Sequence, residues 1–177
     1  MTLLFVGAAL IATLTPGAAA LLRLDPFALV QLVNPRWYLG VVGHVFAHQN
    51  IAHFVGNVAM LLLLGPSLER AMGSDRFAVT LGVLIVLTGL SASFILMFTQ
   101  RSLIGASGLV FALIFLHSLR GAKKYEIPVS VVLLAVLWGA KEVVGLFDQS
   151  RVANSAHLNG ALWGFLAGMS GFTRGRQ

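Results

Sequence analysis

Residues 105–119 read GASGLVFALIFLHSL and residues 156–168 read AHLNGALWGFLAG. Both are apolar runs opened by small or polar residues, and each carries near its start one side chain suited to chemistry, Ser107 in the first and His157 in the second. Hydroxyls are common in apolar helices, whereas an imidazole there is costly and usually functional. The later run repeats glycine every four residues, at Gly160, Gly164 and Gly168. That spacing lines one face of a helix and lets another backbone approach closely. Ser107, Gly108 and Ala112 form a comparable small face on the earlier run. Packing the two faces together would bring His157, one turn from Gly160, against Ser107. Close helix packing alone is a sufficient reason for these glycines, and it is also what a joint site would need. A serine with a histidine base is the minimum for nucleophilic hydrolysis. Phe111, one turn beyond Ser107, is placed to pack on the imidazole and orient it.

The surrounding composition is that of a membrane protein. Of 177 residues 58% are hydrophobic and only 10% charged, with a mean hydropathy of +0.89. Soluble domains carry roughly 25% charged residues. The length accommodates about six spans of some twenty residues, so residues 1–177 read as one all-α transmembrane domain with no room for a separate soluble one. Cysteine is absent, which excludes disulfides, thiolate catalysis and Cys-ligated metals. The net charge of +6 comes from Lys and Arg scattered through the connections. They form no stripe, so nucleic acid is not an expected partner, and the charge is better read as an orientation signal.

Six apolar segments are expected: Thr2–Leu22, Val42–Leu64, Phe77–Phe98, Ser107–Leu119, Pro128–Phe147 and Ala156–Phe172. The first ends in Gly17-Ala18-Ala19-Ala20, which resembles a signal-peptide cleavage site. No Lys or Arg opens it, however, and it reads as a retained span. The fourth is short, so Ser107 should lie below the membrane surface, approached by irregular backbone buried in protein or lining a wet cavity. With six spans, one side holds Arg70, Arg76, Arg120, Lys123, Lys124, Arg174 and Arg176, and the other Arg23, Arg36, Arg101, Lys141 and Arg151. Seven cations against five put both termini in the cytoplasm of a cell membrane. Ser107 and His157 then share a depth toward the external face.

The second segment carries His44, His48, His53 and Asn57. Read as one helix, spacings of four put His44 over His48 and His53 over Asn57. Three histidines so close would suit a metal or haem, but no carboxylate accompanies them and no HExxH pattern occurs. No cofactor is expected. His44 and His48 read as side chains that hydrogen-bond loop backbone. His53 and Asn57 present N–H donors on one face, the arrangement an acyl-transfer site needs at the oxygen that becomes negative. Asp25, Glu69, Asp75, Glu126, Glu142 and Asp148 all fall in connections or near segment ends, so a Ser–His dyad without a carboxylate is the simplest scheme. His117, at the far end of the fourth segment, reads as interfacial.

Three motifs together resemble the rhomboid family of intramembrane serine proteases: His44-x3-His48-x4-His53-x3-Asn57, Gly105-Ala106-Ser107-Gly108, and Ala156-His157-x2-Gly160-x3-Gly164. Glu69-Arg70-Ala71-Met72-Gly73 is similar to that family's segment after its second span. The resemblance covers roughly residues 37 to 170. It implies a six-helix bundle in which Ser107 is the nucleophile and His157 the general base. His53 and Asn57 would be oxyanion donors alongside the Ser107 backbone N–H, and His48 would support the site, with Gly105, Gly108, Phe111, Gly160 and Gly164 shaping it. The implied partners are the lipid bilayer and membrane-anchored protein substrates, cleaved near the outer end of a transmembrane segment, with the fifth span and its Gly139 as a lateral gate. The chain departs from the family pattern at Arg36-Trp37, where a Trp-Arg order is frequent, and at Phe111, where tyrosine is frequent. A non-proteolytic relative that binds membrane segments as a chaperone or adaptor usually lacks the serine or the histidine; this chain has both.

Overall fold

The computed structural model describes residues 1–120, 127–134, 136 and 151–170. Among them the regular structure is helical, with an antiparallel bridge between Leu24 and Leu103. The helices are α1 (Thr2–Leu14), α2 (Ala18–Leu22), α3 (Pro35–Gly43), α4 (Ile51–Met72), α5 (Ser74–Leu96), α6 (Ser107–Ser118), α7 (Val129–Leu134) and α8 (Arg151–Met169), with a 3-10 turn at Leu29–Val33. By length and apolarity α4 and α5 can cross a membrane, and α1 and α6 are shorter apolar helices.

Several boundaries differ from the sequence reading. The first apolar segment is broken between α1 and α2. A residue before proline is driven out of the helical region, and Thr15, before Pro16, is extended while Gly17 adopts a positive φ of 81°. The long connection from Arg23 to Gly40 is not featureless. Pro35 opens α3 at a position where a missing N–H costs nothing, and the Asn34 side chain accepts the Arg36 N–H at 3.1 Å. The segment expected to run as one helix from Val42 instead ends one helix at Gly43 and starts the next at Ile51. Asn50 sets that start, its side-chain oxygen accepting the His53 N–H at 2.8 Å as an N-cap. His44 and His48 therefore lie on a connecting turn and do not stack on one helix with His53. The helix then runs past Leu64 to Met72, where Gly73, at φ 81°, alone separates it from α5. Of the fifth segment only Val129–Leu134 is described as α-helix; Gly139 lies outside the described residues. The last helix already includes Arg151, ahead of the expected Ala156, so His157 lies well inside it.

Twelve residues make α6 about 18 Å long, and Leu109 through Leu116 are all buried. A helix apolar on every side belongs at the centre. Parallel to it lies α8, and the contact is made at glycines. A Cβ on Gly160 would collide with the Gly108 carbonyl, one on Gly164 with the Ala112 carbonyl, and one on Gly168 would reach Leu119 Cδ1 at 2.6 Å. Residues advancing together along both helices fix the register between Ser107 and His157. The connection before α3 docks on α5 through Ser93, whose backbone carbonyl accepts the Phe27 N–H at 2.9 Å and whose hydroxyl accepts from Trp37 Nε1 at 3.0 Å. At the opposite end of the fold, Glu69 accepts from the Met1 amine at 2.6 Å, the Thr2 N–H at 3.0 Å and the Ser74 hydroxyl at 2.8 Å, tying α1, α4 and α5 together.

Candidate active site

Ser107 is the first residue of α6, and the residues just before it are held from outside. The Gly105 N–H donates to the His44 carbonyl at 2.8 Å. Gly105 has φ 116°, a conformation that side-chain-bearing residues rarely adopt. A Cβ there would also strike the His53 ring. The Ala106 N–H donates to His48 Nε2 at 3.3 Å. Ser107 thus enters its helix on a backbone fixed by the histidine-bearing turn, and its N–H belongs to the first turn, which has no intrahelical acceptors and carries the positive end of the helix dipole.

Across the α6–α8 contact, His157 lies flat on Phe111, ring centroids 4.3 Å apart and planes inclined by 6°. Phe111 is one turn along α6 from Ser107, so the same helix that carries the hydroxyl orients the imidazole. Both Ser107 and His157 are half-buried. His53 comes to the cluster from α4, its ring lying against Gly105. It packs edge-on against His48 with centroids 5.2 Å apart. Among the described residues its Nδ1 is buried without a hydrogen-bond partner. One turn on, Asn57 is buried, and its side-chain amide donates to the His53 carbonyl at 2.8 Å. Nδ2 carries two hydrogens, so one remains beyond that bond.

Ser107, His53, His157 and Phe111 are therefore gathered in one place, with Gly105, Gly108 and Gly160 as its backbone walls. His48 and His44 stand behind it. His44 Nδ1 lies 3.1 Å from the carbonyls of Gly40 and Val41 in the last turns of α3, and His48 Nε2 accepts from the Ala106 N–H ahead of α6. Those bonds engage nitrogens that a metal would require. Among the described residues no three of His, Cys, Asp and Glu are grouped to hold one. Asp25 is occupied by the Ser102 hydroxyl at 2.7 Å and Arg23 Nε at 3.1 Å, and Glu69 by the ties described above. Glu126, Glu142 and Asp148 lie outside the described residues. His117 is ten residues from Ser107 along α6, about 15 Å.

The sequence reading overlooked a polar chain behind α8. Trp163 Nε1 donates to Ser91 Oγ at 2.9 Å, Ser91 Oγ donates to Asn159 Oδ1 at 2.7 Å, and Asn159 Nδ2 donates to the Thr88 carbonyl at 2.9 Å. It clamps α8 to α5 two residues from His157. The signal was present, since a buried amide in an apolar helix needs partners.

Residues 35–174 match the Rhomboid domain family. Among curated relatives, the Rhomboid protease GlpG of Yersinia pestis (strain Pestoides F) is 30% identical over 138 residues, covering 74% of this chain and 46% of the relative. That of Yersinia pseudotuberculosis serotype O:3 (strain YPIII) matches equally. The Rhomboid protease GlpG of Serratia proteamaculans (strain 568) is 31% identical over 137 residues, with the same coverage of 74% and 46%. The chain spans about half the length of the curated relatives it matches.

Proposed function

The chain belongs to the rhomboid family, and from that premise we propose that this integral membrane protein is a serine endopeptidase that cleaves membrane-protein substrates within or near their transmembrane segments. The observation that carries the reading is the Phe111–His157 stack one turn from Ser107, because it orients an imidazole beside the nucleophile.

In this scheme His157 takes the Ser107 hydroxyl proton as the oxygen bonds to a peptide carbonyl carbon. The carbonyl oxygen becomes negative and is received by the Ser107 N–H and by donors from His53 and Asn57. Such donors typically contribute about a hundredfold to a thousandfold each. Collapse breaks the carbon–nitrogen bond, and His157 returns the proton to the leaving amine. Water, deprotonated by the same imidazole, then hydrolyses the acyl ester and restores Ser107. The scheme uses no metal or organic cofactor.

A peptide bond inside a helix is shielded by its own hydrogen bonds, so the substrate must unwind before attack, and helix-weakening residues near the scissile bond should favour cleavage. For a six-span arrangement in a cell membrane, the charge distribution favours both termini in the cytoplasm, with the site opening outward. The test is covalent labelling of the purified protein by a fluorophosphonate, expected for the wild type and abolished in Ser107→Ala. Labelling that persists in Ser107→Ala, or a wild type that does not label, would contradict the reading.

A further inference from the structure

Behind Ser107 runs a chain of hydrogen bonds that reaches α1. The Ala106 N–H can only donate, so the ring atom that receives it, His48 Nε2 at 3.3 Å, carries no proton. In the neutral imidazole the proton is then on Nδ1, and Nδ1 lies 3.2 Å from Thr13 Oγ1. Thr13 Oγ1 accepts that proton and directs its own toward the Phe46 carbonyl at 3.4 Å. Every group in the chain has one role. The opposite tautomer would set a hydrogen on Nε2 against the hydrogen of Ala106, so the Ala106 N–H fixes the tautomer and Thr13 Oγ1 stands as the acceptor for Nδ1–H. His48 is 4% exposed, so neither nitrogen can turn to bulk water instead.

We propose that Thr13 is a positioning residue for the site: as acceptor of His48 Nδ1–H, it anchors the ring whose Nε2 holds the peptide leading into Ser107. The role rests on the reading of Ser107 as nucleophile. Thr13 touches no reacting atom and works through two intermediaries, the His48 ring and the Ala106 N–H. It also makes the position of the nucleophile depend on α1, a helix remote in sequence from the rest of the site. Nothing in the apolar pattern of residues 2–14 distinguishes Thr13 as anything but a hydroxyl tolerated in a membrane helix.

The test compares Thr13→Val, nearly equal in shape but without the hydroxyl, with Thr13→Ser, which keeps it. Two readouts are taken on the full chain: cleavage kinetics on a model transmembrane substrate, and the His48 tautomer and Nδ1 resonance from imidazole nitrogen NMR, assigned by loss of the signal in His48→Gln. Thr13→Val should lose about tenfold in kcat with KM changed by less than about twofold, the rate equivalent of one hydrogen bond. Its His48 should keep the Nδ1–H tautomer, with the Nδ1 resonance shifted by loss of its acceptor. Thr13→Ser should restore both. Equal kinetic losses in Val and Ser with the Nδ1 resonance unchanged would make Thr13 a packing residue and overturn the proposal, as would a Thr13→Val protein with wild-type kcat. If Thr13→Val does not fold, the wild-type spectrum decides, because a proton on Nε2 contradicts the chain outright. A wild type that cleaves nothing would refute the protease reading, while the Nδ1 resonance would still decide whether Thr13 anchors His48.

Discussion

Phe111 and His157 stack face to face, 4.3 Å between centroids and 6° from parallel, across the interface of two parallel helices. In the proposed dyad no carboxylate fixes the plane of His157, and the Phe111 face would take that part. Aromatic pairs of this kind contribute about 0.5–1.5 kcal/mol beyond their buried area. Phe111→Ala should therefore lower kcat by up to about tenfold, while Phe111→Tyr keeps the stack and most of the activity. Steady-state kinetics on one substrate decide it, and an Ala variant with unchanged kcat would remove orientation by stacking from the account.

The glycines of α8 are not interchangeable with others. Gly160 meets the Gly108 carbonyl, so Gly160→Ala must push α6 and α8 apart, at a cost of about 1–3 kcal/mol. A methyl group added at Gly82, in α5, would meet no atom within 4 Å, and Gly82→Ala should stabilise by up to about 1 kcal/mol through helix propensity. Equilibrium unfolding of the two variants in the same micelle should give opposite signs.

Ser91 and Asn159 should be coupled. Removing either leaves a buried partner unsatisfied, which costs about 1–3 kcal/mol, but removing both leaves less orphaned than the sum implies. A double-mutant cycle of Ser91→Ala and Asn159→Leu should therefore show single losses that do not add. Strict additivity would mean that the 2.7 Å contact contributes nothing to holding α8 on α5.

The legibility of this fold in its sequence varied by region, for physical reasons. The α6 boundaries were readable because a helix buried on every side is apolar without interruption, and Gly105-Ala106-Ser107-Gly108 marks its start. The α6–α8 register was readable because glycine spacing at every fourth residue reports directly on close backbone approach. The start of α4 was not. Apolar residues recur through Val41, Val42, Val45, Phe46 and Ala47, and hydropathy does not distinguish a buried turn from a helix; the informative residue was the Asn50 cap. The break at Pro16 was visible in local chemistry but masked by the apolar run around it. Side-chain chains such as Thr13–His48–Ala106 depend on which elements meet, and a single sequence does not contain that.

The most direct test of the central claim is cleavage of a model transmembrane substrate by the purified full chain, run beside Ser107→Ala and His157→Ala. The account predicts that the wild type cuts within or near the apolar segment and that each variant loses activity to background while remaining folded. A wild type that leaves the substrate intact, or a His157→Ala protein that still cuts at the wild-type rate, would contradict it.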